Sequence, residues 1–117
     1  MKRKDAQLIR EIKQFLDEHL YEDYSISDLC RRFMINREKL QAGFREEVNF
    51  TVHSYIIQQR MQRAARRLLE SDDSIKAVAL DSGYKKQRSF NKTFKSIFNQ
   101  TPAAYRRLHQ IREESWP

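Results

Sequence analysis

The chain has 117 residues, 39% hydrophobic and 33% charged, with a net charge of +7 and only two glycines, two prolines and one cysteine. That length suits one compact domain or two small units, and so few turn residues disfavour sheet proteins, collagen and Pro-rich linkers. The lone Cys30 excludes an intramolecular disulfide and a Cys-pair zinc site, and no apolar run reaches membrane-spanning length.

The opening Met1-Lys2-Arg3-Lys4-Asp5 runs into a charged helical pattern without the apolar stretch of a signal peptide, so a cytoplasmic protein is expected. Leu8, Ile9, Ile12, Phe15, Leu16 and Leu20 recur every three or four residues and predict an amphipathic helix over 6–20. Ser25 is a good helix cap, and Asp28 three residues on completes a capping-box pattern. Ile26, Leu29, Cys30 and Phe33 then form the stripe of a helix over 26–33. Met34-Ile35 turns the chain. Asn36 caps the next helix, which runs to Val48 with Leu40 and Phe44 inward. Asn49 can take the left-handed conformation that ends it.

A longer helix follows over 52–70, marked by Val52, Tyr55, Ile56, Met61, Ala64, Ala65, Leu68 and Leu69. At 1.5 Å per residue it would be ~28 Å long. Asp73 or Ser74 caps a short helix with Ile75, Val78 and Ala79 inward, and Gly83 permits a positive-φ turn that leads Tyr84 into the core. Gln87 to Phe98 reads as another helix, with Phe90, Phe94 and Ile97 inward. Thr101-Pro102 suits a helix start, Thr as cap and Pro as first residue.

The chain repeats itself. Ser25-Ile26-Ser27-Asp28-Leu29-Cys30 returns 49 positions later as Ser74-Ile75-Lys76-Ala77-Val78-Ala79. Phe44 through Thr51 returns 50 positions later as Phe94 through Thr101, and Leu40 pairs with Phe90 and Tyr55 with Tyr105 at that offset. Several matches in one order mark a duplicated helix-turn-helix unit, at 25–48 and 74–98. The charge follows the repeats: residues 25–70 carry +4 and 71–107 carry +5, whereas 1–24 and 108–117 each carry −1. A polyanion partner follows, with nucleic acid ahead of a membrane surface.

These residues resemble the DNA-binding domain of the arabinose-regulator (AraC/XylS) family of bacterial transcription regulators. The likeness runs from Leu8 to Arg106. Its most specific stretch is Ser74-Ile75-x-x-Val78-Ala79-x-x-x-Gly83-Tyr84, then Gln87-x-x-Phe90-x-Lys92-x-Phe94-Lys95, then Thr101-Pro102-x-x-Tyr105-Arg106. The resemblance implies an all-α, seven-helix, two-lobed domain over 6–107, with a tail over 108–117. The helix 52–70 joins the two helix-turn-helix units, whose recognition helices enter successive major grooves of double-stranded DNA. The sequence departs from the family pattern where Gly is usual near Met34 and Asn49, Arg at Ala42, and a Ser or Asp cap near Lys86. With Gly43 in mid-helix as well, at a cost of ~1 kcal/mol relative to Ala, the first unit is expected to be the weaker reader.

With Leu40 and Phe44 inward, helix geometry turns Glu38, Ala42 and Arg45 outward and puts Gln41 at the flank. With Phe90 and Phe94 inward, Arg88, Lys92 and Lys95 point outward and Asn91 lies at the flank. The base-contacting positions that the resemblance implies are Glu38, Gln41, Ala42, Gln87, Arg88, Asn91 and Lys92. The chemistry fits: Arg and Lys donate to guanine, Asn and Gln pair with adenine, Glu38 accepts from cytosine, and Ala42 can touch a thymine methyl. Arg37, Arg45, Lys85, Lys86 and Lys95 are better placed for phosphates.

His19, His53 and His109 lack zinc-ligand spacing, and no nucleophile elbow or phosphate-cradling loop is present. The expectation is therefore a non-enzymatic regulator without metal or cofactor, an activator that recruits RNA polymerase. No effector pocket or dimerisation segment is recognisable, so the domain is expected to be monomeric and to dimerise only through a domain absent here. Trp116 either docks on the domain or lies in a disordered tail. The rival readings are a helical protein-interaction module and a non-specific nucleic-acid-binding protein.

Overall fold

The computed structural model describes residues 2–115, and side chains through residue 109; Trp116 lies outside the described residues. Seven helices and no strand occur among the described residues: α1 (Arg3–Glu18), α2 (Ile26–Phe33), α3 (Arg37–Val48), α4 (Val52–Glu70), α5 (Ile75–Asp81), α6 (Gln87–Phe98) and α7 (Pro102–Ser115). The chain forms two compact units, Met1–Gln59 and Arg60–Pro117, and the division falls inside α4.

In the first unit, α1, α2 and α3 pack on one another and on the start of α4. Ile9, Ile12 and Leu16 of α1 meet Leu29, Ile35, Leu40, Phe44, Val52 and Tyr55 in one buried cluster. Ile26, Cys30 and Phe33 are only partly buried against it, because α2 is short and one face stays wet. The Arg10 guanidinium reaches Glu47 at 2.6 Å, and the Tyr55 hydroxyl donates to Asp17. Gly43 lies on the inward stripe with Leu40 and Phe44, so its missing side chain is a feature of core packing and leaves the outer face intact.

In the second unit, Met61, Ala64, Ala65 and Leu68 of α4, Val78 and Ala79 of α5, and Phe90 and Phe94 of α6 are buried. Arg67 organises the link between α4 and α5. Its Nε and one terminal nitrogen bond Asp73 at 3.0 and 2.9 Å, and the other terminal nitrogen bonds Asp81. Asp73 is thus an ion-pair partner, and Ser74 is the cap, accepting from the Ala77 N–H at 3.0 Å. Arg106 donates to the carbonyls of Leu68 and Ser71 at 2.8 and 3.3 Å and satisfies the end of α4.

The duplication is visible in the joints. The Ile35 N–H bonds the Cys30 carbonyl at 3.1 Å, and the Tyr84 N–H bonds the Ala79 carbonyl at 3.0 Å. The turn residue before each has positive φ: Met34 at 53° and Gly83 at 93°. Asn49 and Asn99 end α3 and α6 in the left-handed region, with φ of 67° and 61°. Thr51 and Thr101 cap α4 and α7 through Ser54 and Ala104. Phe44 meets Tyr55 at 5.5 Å and 70°, and Phe94 meets Tyr105 at 5.4 Å and 74°. Two differences in length stand out. The first helix opens at Arg3 and closes at Glu18, since the polar start costs nothing on an exposed face. The boundary expected at residue 107 falls inside α7, because no glycine or proline interrupts the chain between Pro102 and Pro117.

The Ser25–Asp28 capping box is reciprocal, with both bonds at 3.0 Å. The Ser25 backbone N–H and hydroxyl hold the Asp28 carboxyl below the usual aspartate range, and hydrogen bonds from Arg67 do the same to Asp73. A depressed carboxylate stabilises the fold above its unfolded pKa, and that contribution disappears as pH falls through the folded value. Stability should therefore drop below about pH 4, and Asp73→Asn should flatten the drop, as acid titration followed by circular dichroism will show. Ser25→Ala should cost about 1 kcal/mol at neutral pH; a thermal melt identical to the parent would count against the capping role.

Candidate nucleic-acid interface

Each unit offers one helix whose inner stripe is fixed by aromatic burial. In the first, Asn36 caps α3 by accepting from the Lys39 N–H at 2.8 Å, and Leu40, Gly43 and Phe44 are buried. That leaves Glu38, Gln41, Ala42 and Arg45 exposed on the opposite side. Arg37, also exposed, lies 3.5 Å from the Ser27 hydroxyl. In the second unit, Phe90 and Phe94 are buried, while Gln87, Arg88, Lys92 and Lys95 are exposed. Lys86 stands at the cap of α6 without a side-chain cap bond, and Lys85 beside it is exposed.

Asn91 differs from its neighbours. It is half-buried, and its Oδ1 is fully buried with no hydrogen-bond partner. A flank position next to Phe90 turns its amide partly toward the core.

The two faces differ in charge. α6 contains Arg88, Lys92 and Lys95 and no carboxylate, whereas α3 balances Arg37, Lys39 and Arg45 against Glu38, Glu46 and Glu47. Arg45, Lys85, Lys86, Arg88, Lys92 and Lys95 make no ion pair among the described residues. Other charges pair: Arg10 with Glu47, Lys13 with Asp17, and Arg67 with Asp73 and Asp81. The outer side of α6 thus carries three cations without ion pairs and no carboxylate, which suits a polyanion.

Periodicity did not point to a cavity of about 490 Å³ in the first unit. Ile26, Gln41, Ala42, Arg45, Thr51, Val52 and His53 line it. Three helices contribute to it, so no single stretch of sequence signals it.

A family profile described as a helix-turn-helix domain matches residues 29–108. The regulatory protein SoxS of Salmonella typhimurium is 31% identical over 100 residues, covering 86% of this chain and 94% of that protein. The chain belongs to the AraC/XylS family of DNA-binding transcription regulators. An AraC-type DNA-binding domain protein from Chromobacterium violaceum shares the fold, with a TM-score of 0.79 at 22% identity over 90% of this chain and 94% of that one. The DNA-binding domain of the global transcriptional factor AdpA, solved with a target DNA, superposes with a TM-score of 0.81 at 27% identity, covering 92% of this chain and 97% of that one. Membership gives the exposed faces of α3 and α6 their context, that of a family of transcription regulators. No helix among the described residues is long and apolar enough to cross a membrane.

Proposed function

We propose that this regulator reads double-stranded DNA by placing α3 and α6 in successive major grooves, acts in the cytoplasm with this domain itself monomeric, and activates transcription by recruiting RNA polymerase. Its work is binding rather than catalysis. The observation that carries the reading is the pair of helix-turn-helix units whose outer faces collect cations without partners. Arg88 and Lys92 have the donors for guanine, and Gln87 and Asn91 have the amides for adenine. Glu38 accepts from cytosine N4, and Arg37, Arg45, Lys85, Lys86 and Lys95 bind phosphates. Asn91 must rotate to read a base, and doing so pairs an oxygen whose burial without a donor costs ~1–3 kcal/mol.

Selection from a random duplex library tests the proposal. The recovered site should be asymmetric and span close to two turns, its halves roughly 34 Å apart. Arg88→Ala should lose ~1–3 kcal/mol and relax preference at one base pair, while Lys95→Ala should weaken all sequences about equally. Recovery of no preferred duplex would leave a non-specific binder. An Arg88→Ala variant with unchanged base preference, beside a Glu38→Ala variant that loses it, would move the dominant reader to α3.

A further inference from the structure

The cavity beside α3 has a mixed lining. Ile26, Ala42 and Val52 are apolar, and Gln41, Arg45, Thr51 and His53 are polar. None of its lining residues is a carboxylate. Three other cavities of similar size each hold at least one: Asp28 near Arg31, Glu11 near Lys4, and Glu47 near Arg10. This one is therefore open to the electron-rich edge of a nucleic-acid base.

The repeat shows why the space exists. Ile26 corresponds to Ile75, Gln41 to Asn91, Arg45 to Lys95, and Ala42 to Lys92. Isoleucine is kept, the Gln/Asn and Arg/Lys pairs keep their chemistry, and the last pair replaces a long cation with a single methyl; Val52 and His53 of the lining also differ, from Pro102 and Ala103. Ala42 is exposed, so nothing in the core demands that small residue.

Among the four bases only thymine shows an apolar group in the major groove, its C5-methyl, with the O4 acceptor next to it. A cavity lined by apolar side chains and by a side-chain amide matches that pair of features. We infer that this cavity is a thymine subsite: the methyl packs on Ile26, Ala42 and Val52, and the Gln41 amide donates to O4. The assignment rests on α3 being a recognition helix, and it deepens that reading by naming the base the first unit selects.

Deoxyuridine differs from thymidine by the methyl alone. The probe is the library-selected duplex with each thymine replaced singly by deoxyuridine. One replacement should weaken binding about fourfold, the transfer value of one buried methyl. Ala42→Lys should erase the difference between the two duplexes at that position while leaving the melting temperature of the protein unchanged. If the parent chain binds the selected duplex and every uridine version equally, the thymine subsite is wrong and DNA recognition stands. A uridine effect that persists in Ala42→Lys assigns the methyl contact elsewhere and overturns the inference. If no duplex is selected at all, both readings fall.

Discussion

Raising salt from about 50 to about 200 mM should weaken DNA binding by roughly 10³- to 10⁴-fold. Arg37, Arg45, Lys85, Lys86 and Lys95 face phosphates in the proposed complex, and Arg88 and Lys92 lie among them. Each cation that meets a phosphate releases condensed counterions, so log K falls with log[salt] at a slope near −0.9 per contact. About six to eight contacts give a slope of roughly −5 to −7. Lys95→Ala should flatten it by about one. Arg88, Lys92 and Lys95 of α6 make no ion pair among the described residues, so solvent ions screen them in the free protein. A slope near zero would remove the electrostatic basis for the function and favour a protein partner.

Phe94→Ala should lower the melting temperature by roughly 10–20 °C, from a loss of about 3–5 kcal/mol. Phe94 is fully buried, and its ring meets those of Phe90, Phe98 and Tyr105 at 5.8, 4.5 and 5.4 Å. Truncation removes the hub of that aromatic stack and leaves a cavity in a unit of only 58 residues. Because the same helix carries Arg88 and Lys92, DNA affinity should fall with the fold, although Phe94 touches no DNA. A differential scanning measurement that places Phe94→Ala within about 3 °C of the parent would contradict this account of the core.

The helices were readable because their signals are local. Ser25, Asn36, Ser74 and Thr101 cap where hydrogen-bond chemistry favours them, and the stripes through Leu40–Phe44 and Phe90–Phe94 follow helix periodicity. The bounds of α2, α3, α4 and α6 follow from those signals. Other features depend on residues far apart in the chain. Arg67 could have paired with any nearby acid, and only the folded unit brings Asp73 and Asp81 to it together. Arg106 belongs to the most specific stretch of the family resemblance, yet its role on the carbonyls of Leu68 and Ser71 needs α7 folded against α4. The candidate readers divide in the same way. Arg88 and Lys92 are exposed as their angular positions require, whereas the inward turn of the Asn91 amide and the cavity beside Ala42 arise only from packing.

Phe44 with Tyr55 and Phe94 with Tyr105 are near-copies in distance and angle, while the outward pairs Glu38 with Arg88 and Ala42 with Lys92 differ in charge. Scaffold and message therefore occupy separate residues. Exposed substitutions of the second kind generally change stability by no more than about 0.5 kcal/mol. Such a chain can drift toward new operators one position at a time without a folding crisis along the way, and each half can do so alone. Tandem duplication supplies two copies of a helix-turn-helix unit, and under the proposed reading divergence at their outer faces retargets each copy independently.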